Sequence, residues 1–400
     1  MMLGLALEGG GAKGAYHMGA VKAFLEEGYT FEGIAGTSIG AINGAIIAQG
    51  DFELGYRLWE TMDNSLLFDI EEMQKEKIIN RHFDKEALSF LVAQIKGIIE
   101  NKGIDTSRIR TILDEIIDED KLRSSKVDLG IVTVSLPDFE PVELYKEDIP
   151  YGKIVDYIMA SANVPVFRIE PIDGKFYIDG GFYDNCPINL LVKKGYKDII
   201  AIRTMGFGKT RKLEDESVRL TTLIPSESLG RLLNFDNSII QRNLKMGYFD
   251  ALRNLKGLVG KKFYIEPFDA DLFVNILWNL PDEAIERLRD IMVLPRMESK
   301  RLLFERILPD LFKLMDLPAS ATYQDMLIEV LEHAATARGI DRFEVRTVSG
   351  LLEELKAETV ENKRYFTNLR TRFTSLFSKE AVLNAVSEEL INSLRPEQFS

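Results

Sequence analysis

Phe31-Glu32-Gly33-Ile34-Ala35-Gly36-Thr37-Ser38-Ile39-Gly40, running on into Ala41-Ile42-Asn43-Gly44-Ala45-Ile46-Ile47-Ala48, is the stretch that decides how this chain folds. The apolar run to Ala35 reads as a strand and the small-residue run after Gly40 as a helix. Gly36-Thr37-Ser38-Ile39-Gly40 therefore occupies the sharp turn between them, the setting in which G-x-S-x-G becomes a nucleophile elbow. The flanking glycines let the backbone take a strained turn and leave room for neighbouring elements. A serine presented at a helix N-terminus, where N–H groups stabilise negative charge, is built to attack carbonyls. The pentapeptide alone is permissive in a chain with 29 glycines; its flanks give it content.

A second cluster, Gly9-Gly10-Gly11-Ala12-Lys13-Gly14, follows the apolar strand Leu3 to Leu7 and precedes a helix. Gly9, Gly11 and Gly14 match G-x-G-x-x-G, so a nucleotide-binding Rossmann-like fold is one reading. That reading needs an acid at the end of the second strand to hold a ribose, and Glu32 stands at its start. The other reading is an oxyanion hole, in which unhindered N–H groups point at the alkoxide of a tetrahedral intermediate. Two glycine loops at the carboxyl ends of consecutive strands face one crevice, which suits the second use.

Serine needs a base, and the chain has three histidines, His17, His82 and His333. His333 lies in a helix-like stretch without turn chemistry, where a solvent-facing position is expected, and His17 is expected on a helix surface. Asp179, in Phe176-Tyr177-Ile178-Asp179-Gly180-Gly181, is the better candidate: a carboxylate at a strand end beside a glycine turn reaches a serine directly. Burial would raise its pKa toward the range of a general base. Turn chemistry alone favours an ordinary Asp-Gly turn here, as at Asp173-Gly174.

Four motifs together carry more. Gly9 to Gly14, Gly36 to Gly40, Ser161-Ala162-Asn163-Val164-Pro165-Val166-Phe167 and Asp179-Gly180-Gly181-Phe182-Tyr183-Asp184-Asn185-Cys186-Pro187 occur in the order and approximate spacing of the patatin-like phospholipase family, which residues 1 to about 265 resemble. The resemblance implies a patatin-like three-layer sandwich, Ser38 as nucleophile and Asp179 as the sole base of a Ser-Asp dyad. It also implies an oxyanion hole from Gly9, Gly10 and Gly11, with Gly14, Gly36, Gly40, Gly180 and Gly181 as motif glycines. Glu8 stands where the family often has Asp or Ser, and Lys13 where it often has Arg. These departures bear on loop anchoring or substrate preference rather than on the dyad. The expected activity is hydrolysis of phospholipid or lysophospholipid esters, with no metal or cofactor. A catalytically silent lipid-binding module is the remaining alternative.

A hydrophobic content of 46% over 400 residues is ample for a large core. The single cysteine, Cys186, excludes an internal disulfide and fits a reducing, cytoplasmic setting. The chain opens on a short strand rather than a secretory signal, and no run is long enough to span a bilayer. A net charge of −13 argues against a nucleic-acid partner and against broad docking on anionic membranes. The expected partner is a lipid ester, at a membrane or micelle surface. Gly206-Phe207-Gly208-Lys209-Thr210 ends like a phosphate loop, but the first glycine of that motif is replaced by Arg203, so it reads as an ordinary loop.

Strands at Leu3 to Leu7, Phe31 to Ala35, Val127 to Ser135, Phe176 to Ile178, Ile199 to Ile202 and Phe263 to Ile265 alternate with helical periods. This predicts an α/β fold, a mostly parallel sheet with helices on both faces. The expected organisation is an α/β catalytic domain over 1–268, with a helical insertion at about 71–125, and a helical C-terminal region over 269–400. Leu303, Phe304, Ile307, Leu308, Leu311 and Leu314 form an apolar stripe there, expected to pack as a layer on the catalytic core; a lid, an oligomerisation element and a lipid-facing surface are the other readings.

Overall fold

The structure, a computed structural model, describes residues 2–68, 103–357 and 379–399. The chain divides into two units, Met1–Asn254 and Leu255–Ser400. Most of the expected insertion at 71–125, with His82, lies outside the described residues. Its last part forms two short helices, Ser107–Ile116 and Glu119–Ser124.

The first unit is built on a seven-stranded sheet: β1 (Leu3–Leu7), β2 (Gly33–Thr37), β3 (Asp128–Leu136), β4 (Pro141–Tyr145), β5 (Phe176–Asp179), β6 (Asp198–Ile202) and β7 (Arg219–Leu223). Its order is β4-β3-β2-β1-β6-β7. The pairs β1–β2, β1–β6, β2–β3 and β6–β7 are parallel, whereas β4 and β5 run antiparallel to β3. The central strands read as continuous apolar runs because both of their faces are covered. Ala6, Ala35, Val132 and Ile199 share a core with Leu190 and Leu191 of the helix Ile188–Lys194. On the opposite face the helix Ile39–Ala48 presses Gly44 against Ile34, Leu129 and Leu7. The fold is thus α/β, with a mostly parallel sheet sandwiched by helices.

Two strands, β4 and β7, are absent from the sequence-based expectation. Both are short edge strands carrying polar residues, and β4 starts on a proline. Such edges do not show the apolar signal that marks a buried strand.

The second unit corrects two expectations. The strand at Phe263 to Ile265 does not complete the main sheet: Tyr264–Ile265 pairs with Val345–Arg346 in a two-stranded sheet of its own. The apolar stripe is buried within the second unit itself. Leu303, Ile307, Leu308 and Leu311 are fully buried in a separate core built from residues of this unit, among them Phe273, Leu288, Leu331 and Leu352.

Candidate active site

Ser38 sits between β2 and the helix Ile39–Ala48 with φ 56° and ψ −126°, a conformation a non-glycine residue adopts only under constraint. The constraint is close packing of backbone. A Cβ on Gly36 would stand 2.2 Å from the Gly40 carbonyl oxygen, and one on Gly40 would stand 2.2 Å from that of Leu7. Side-chain bonds fix what the glycines permit. The Ser38 N–H donates to Ser161 Oγ at 2.9 Å, Ser161 Oγ donates to the Val132 carbonyl at 2.6 Å, and Thr37 Oγ1 donates to the Asp184 carbonyl at 2.8 Å. Ser161 is completely buried at the end of the helix Ile154–Ser161, so it acts through the backbone of Ser38 rather than on a substrate. Ser161→Ala leaves that N–H without its acceptor and loosens the elbow. The expected result is a fall in kcat of about tenfold with KM little changed and melting temperature lowered only modestly, measured by steady-state ester hydrolysis and thermal unfolding.

Asp179 is brought to the same place by sheet register. β2 pairs with β3 as far as Thr37 opposite Val132, and β5 takes over the same edge of β3 from Asp179 opposite Thr133. The ends of β2 and β5 therefore abut, with Ser38 directly after β2 and Asp179 the last residue of β5. The junction is bonded: Thr133 Oγ1 donates to the Ile178 carbonyl at 2.8 Å, and the Asp179 N–H donates to that of Asn163 at 2.9 Å. The Asp179 side chain is 5% exposed. Its Oδ1 accepts the Gly181 N–H at 2.7 Å, within the turn that Gly180 and Gly181 open. Burial pushes its pKa up to about 6, against the opposing pull of the Ser38 and Gly181 hydrogen bonds. A carboxylate poised there is ionised at neutral pH and basic enough to accept a proton.

The first glycine loop needs one correction. Gly9 cannot serve as an oxyanion donor, because its N–H donates to the Asn185 carbonyl at 2.9 Å. It packs instead against the elbow, where a Cβ would come 3.2 Å from that of Ser38. The Gly10 and Gly11 N–H groups have no acceptor among the described residues. Gly11 takes φ +55°, and the Gly11–Gly14 turn leads into the helix Ala15–Glu26. Gly14 closes the turn, with its carbonyl accepting Asn43 Nδ2 at 2.9 Å.

Glu8, one of the two departures from the family wording, is a loop anchor. It is buried, accepts Arg203 Nη2 at 2.8 Å, and accepts the N–H groups of Thr204 at 2.6 Å and Met205 at 2.9 Å. Lys13, the other, donates to the Met205 carbonyl at 3.0 Å. Both departures thus hold the loop after β6 beside the glycine turn. Glu32 Oε2 accepts the Leu3 N–H at 2.6 Å, at the strand end remote from the glycine turn, where no ribose of a bound dinucleotide would lie.

The two described histidines stand apart from this chemistry. His17 is not on a helix surface: it is fully buried, and burial lowers its pKa to about 3, so it is a neutral ring packed in the interior. His333 is half-buried on the helix Tyr323–Ala337 of the second unit, with Nε2 2.6 Å from Asn384 Oδ1.

Two hollows meet at Ser38. One is a narrow cleft of about 20 Å³ that also touches Gly10, Asp179, Gly181 and Phe207. The other is an apolar cavity of about 100 Å³, walled by Ile42, Ile46, Leu58, Met62 and Ile112 and by aromatic rings. Trp59 and Phe235 stack with centroids 6.3 Å apart, and Phe68 meets Phe235 edge-on at 6.2 Å. Of the polar side chains in its wall, Asn43 is occupied: it accepts Trp59 Nε1 at 2.9 Å while donating to Gly14. The interior accordingly offers mostly hydrocarbon contacts, with Ser38 and Thr106 the other polar side chains in its wall. Its lining is scattered over residues 11 to 235, and periodicity gave no hint of a shared cavity.

A serine on a strained elbow, beside a buried carboxylate and next to a glycine turn, marks the candidate site of this α/β domain. Residues 5–192 match the family described as Patatin-like phospholipase. It is 25% identical over 282 residues to the patatin-like phospholipase domain-containing protein ZK370.4 of Caenorhabditis elegans, a match covering 66% of this chain and 19% of that protein. It is 25% identical over 207 residues to patatin-like phospholipase domain-containing protein 6 of Homo sapiens, covering 50% of this chain and 13% of that protein. The chain thus matches less than a fifth of the length of these relatives. Among solved structures it is similar to VipD from Legionella pneumophila, with a TM-score of 0.40 and 15% identity over 100% of this chain and 93% of that one.

Proposed function

We propose that this protein is a serine acyl hydrolase that cleaves fatty acyl esters of phospholipids or lysophospholipids through an acyl-enzyme on Ser38, with Asp179 as base, in a cytoplasmic setting. The observation that carries this reading is the meeting at Ser38 of the Asp179 cleft and the apolar cavity. An ester whose carbonyl lies over Ser38 would send its acyl chain among Ile42, Ile46 and Met62 and its alcohol portion toward Phe207. Asp179 takes the proton of Ser38 as Oγ attacks the carbonyl carbon, and the N–H groups of Gly10 and Gly11 hold the oxyanion. On collapse the carbon–oxygen bond to the alcohol breaks, and the alcohol leaves with the proton from Asp179. Water then attacks the acyl-enzyme with Asp179 again as base, and fatty acid departs as the proton returns to Ser38.

The direct test is covalent labelling with a fluorophosphonate probe. The expected result is one adduct on Ser38, blocked by prior incubation with a long-chain ester. A chain that takes no label but gains thermal stability from a nicotinamide or adenine dinucleotide would instead be a nucleotide binder.

The pH dependence follows from Asp179. The base form is the ionised carboxylate, and burial holds its pKa at about 6. Activity is therefore absent well below that value, rises through pH 6 and levels off above it. A kcat/KM profile on a water-soluble ester checks this; a limb already flat at pH 5 would remove Asp179 from the role.

A further inference from the structure

We propose that the loop Met205-Gly206-Phe207-Gly208-Lys209-Thr210-Arg211-Lys212, with Ile224 beside it, docks the mouth of the site onto an anionic lipid–water interface. This deepens the reading of the site as a lipid ester hydrolase and rests on it.

Met205 is 57% exposed, Phe207 45% and Ile224 55%, three large apolar side chains with much of their surface exposed. They lie at one end of the sheet. β6 and β7 run parallel with Ile202 opposite Leu223, and the Arg203 N–H donates to the Leu223 carbonyl at 2.9 Å, so Met205 and Ile224 follow the carboxyl ends of adjacent strands. That is the end at which β1 and β2 deliver the glycine turn and Ser38. Phe207 also borders the cleft that contains Ser38 and Asp179. The patch is therefore the rim of the site.

The presentation is fixed. Met205 is held at φ 51° while Glu8 accepts its N–H and Lys13 donates to its carbonyl. Thr204 Oγ1 donates to the Gly9 carbonyl at 2.6 Å, and the Lys209 N–H donates to that of Gly181 at 2.9 Å. The loop is tied at one foot to the oxyanion turn and at the other to the turn that carries Asp179. Such bracing spends backbone strain to hold an apolar side chain in water, a cost without return unless the side chain meets a non-aqueous phase.

Charge selects the phase. From Arg203 to Lys212 the chain has four basic residues and no acidic one, within a protein of net charge −13. Arg203 is paired with Glu8 and Arg211 with Glu214, but Lys209 and Lys212 are exposed and in no ion pair among the described residues. Apolar side chains flanked by free lysines match a surface of acyl chains under anionic headgroups. The overall negative charge opposes adsorption in any other orientation, so the patch sets orientation as well as attachment.

The test is co-flotation of the Ser38→Ala protein with vesicles, so that turnover does not enter the reading. Phosphatidylcholine vesicles containing phosphatidylglycerol are compared with phosphatidylcholine alone. The Ser38→Ala chain is expected to float with the anionic vesicles and only weakly with the neutral ones. Adding Met205→Asn, a residue that tolerates the left-handed backbone, should cut partitioning about tenfold on either vesicle. Adding Lys209→Gln or Lys212→Gln should cut it about fivefold each on anionic vesicles and leave neutral ones unchanged. With Ser38 restored, the same substitutions should keep activity on a short water-soluble ester and lose it on vesicles. Failure of the parent to float, or equal flotation of the three variants, overturns the proposal. Flotation with the expected losses, from a chain that never labels at Ser38, keeps the docking surface and removes the hydrolase reading instead.

Discussion

Ser38→Ala is expected to lower ester hydrolysis by about 10⁴-fold or more and to abolish fluorophosphonate labelling, with the fold intact. The magnitude follows from covalent catalysis: without Oγ no acyl-enzyme forms, and Asp179 is left to activate water that no element of the site positions. The fold survives because the hydroxyl is not what shapes the elbow. The backbone contacts at Gly36 and Gly40 and the bond from the Ser38 N–H to Ser161 are all retained in alanine. The measurement is turnover of purified protein beside its circular dichroism and melting temperature. A folded variant that keeps most of its activity sinks the assignment.

Asp179→Asn is expected to be about as inactive, again on the order of 10⁴-fold, because an amide neither accepts the serine proton nor returns it. The neutral, interior His17 cannot substitute, and His17→Ala should keep turnover in whatever fraction remains folded. Stability separates loss of chemistry from loss of fold. The folded-state pKa of about 6 lies above the ordinary carboxylate value, so the native state disfavours the ionised form. That penalty is absent below about pH 4, grows as pH rises to about 6 and is fully present above. It amounts to roughly 2–3 kcal/mol, which the neutral amide escapes. At pH 8 the inactive variant should melt at or above the temperature of the parent. An asparagine variant that is folded and active would leave the dyad without its base.

The sequence disclosed those parts whose physics is local. A strand, a glycine-flanked serine and a helix are contiguous, so the elbow at Ser38 was legible, as was the parallel sheet built from apolar runs. Asp179 could be proposed from its turn, but what seats it beside Ser38 is the handover of β3 from β2 to β5, a long-range register no local pattern records. The role of Ser161 was hidden for the same reason: its partner is a backbone N–H across the sheet. Gly9 was misread because a glycine loop announces free N–H groups without saying which are already taken. His17 was expected on a surface because a lone polar residue does not show that its helix is covered nearly all round; the apolar stripe of the second unit failed differently. An amphipathic period shows that a face is buried and is silent on what buries it. Gly206 to Thr210 was dismissed as an ordinary loop because a motif search asks what a loop binds; its exposure was the informative property.

The elbow and the glycine turn hang from adjacent parallel strands, with Leu7 opposite Gly36. The proposed nucleophile and the N–H groups proposed to hold the oxyanion therefore leave from neighbouring strands, about 4.8 Å apart in any sheet. Those N–H groups belong to glycines, so they have no side chain through which to drift. The frame of the proposed site is in this sense backbone, trimmed by the bond from the Ser38 N–H to Ser161. The walls of the apolar cavity and the tip of the Met205 loop consist almost wholly of replaceable side chains. A lineage built on this scaffold is free to change which esters it meets, and on which surface, while the reaction itself stays the same.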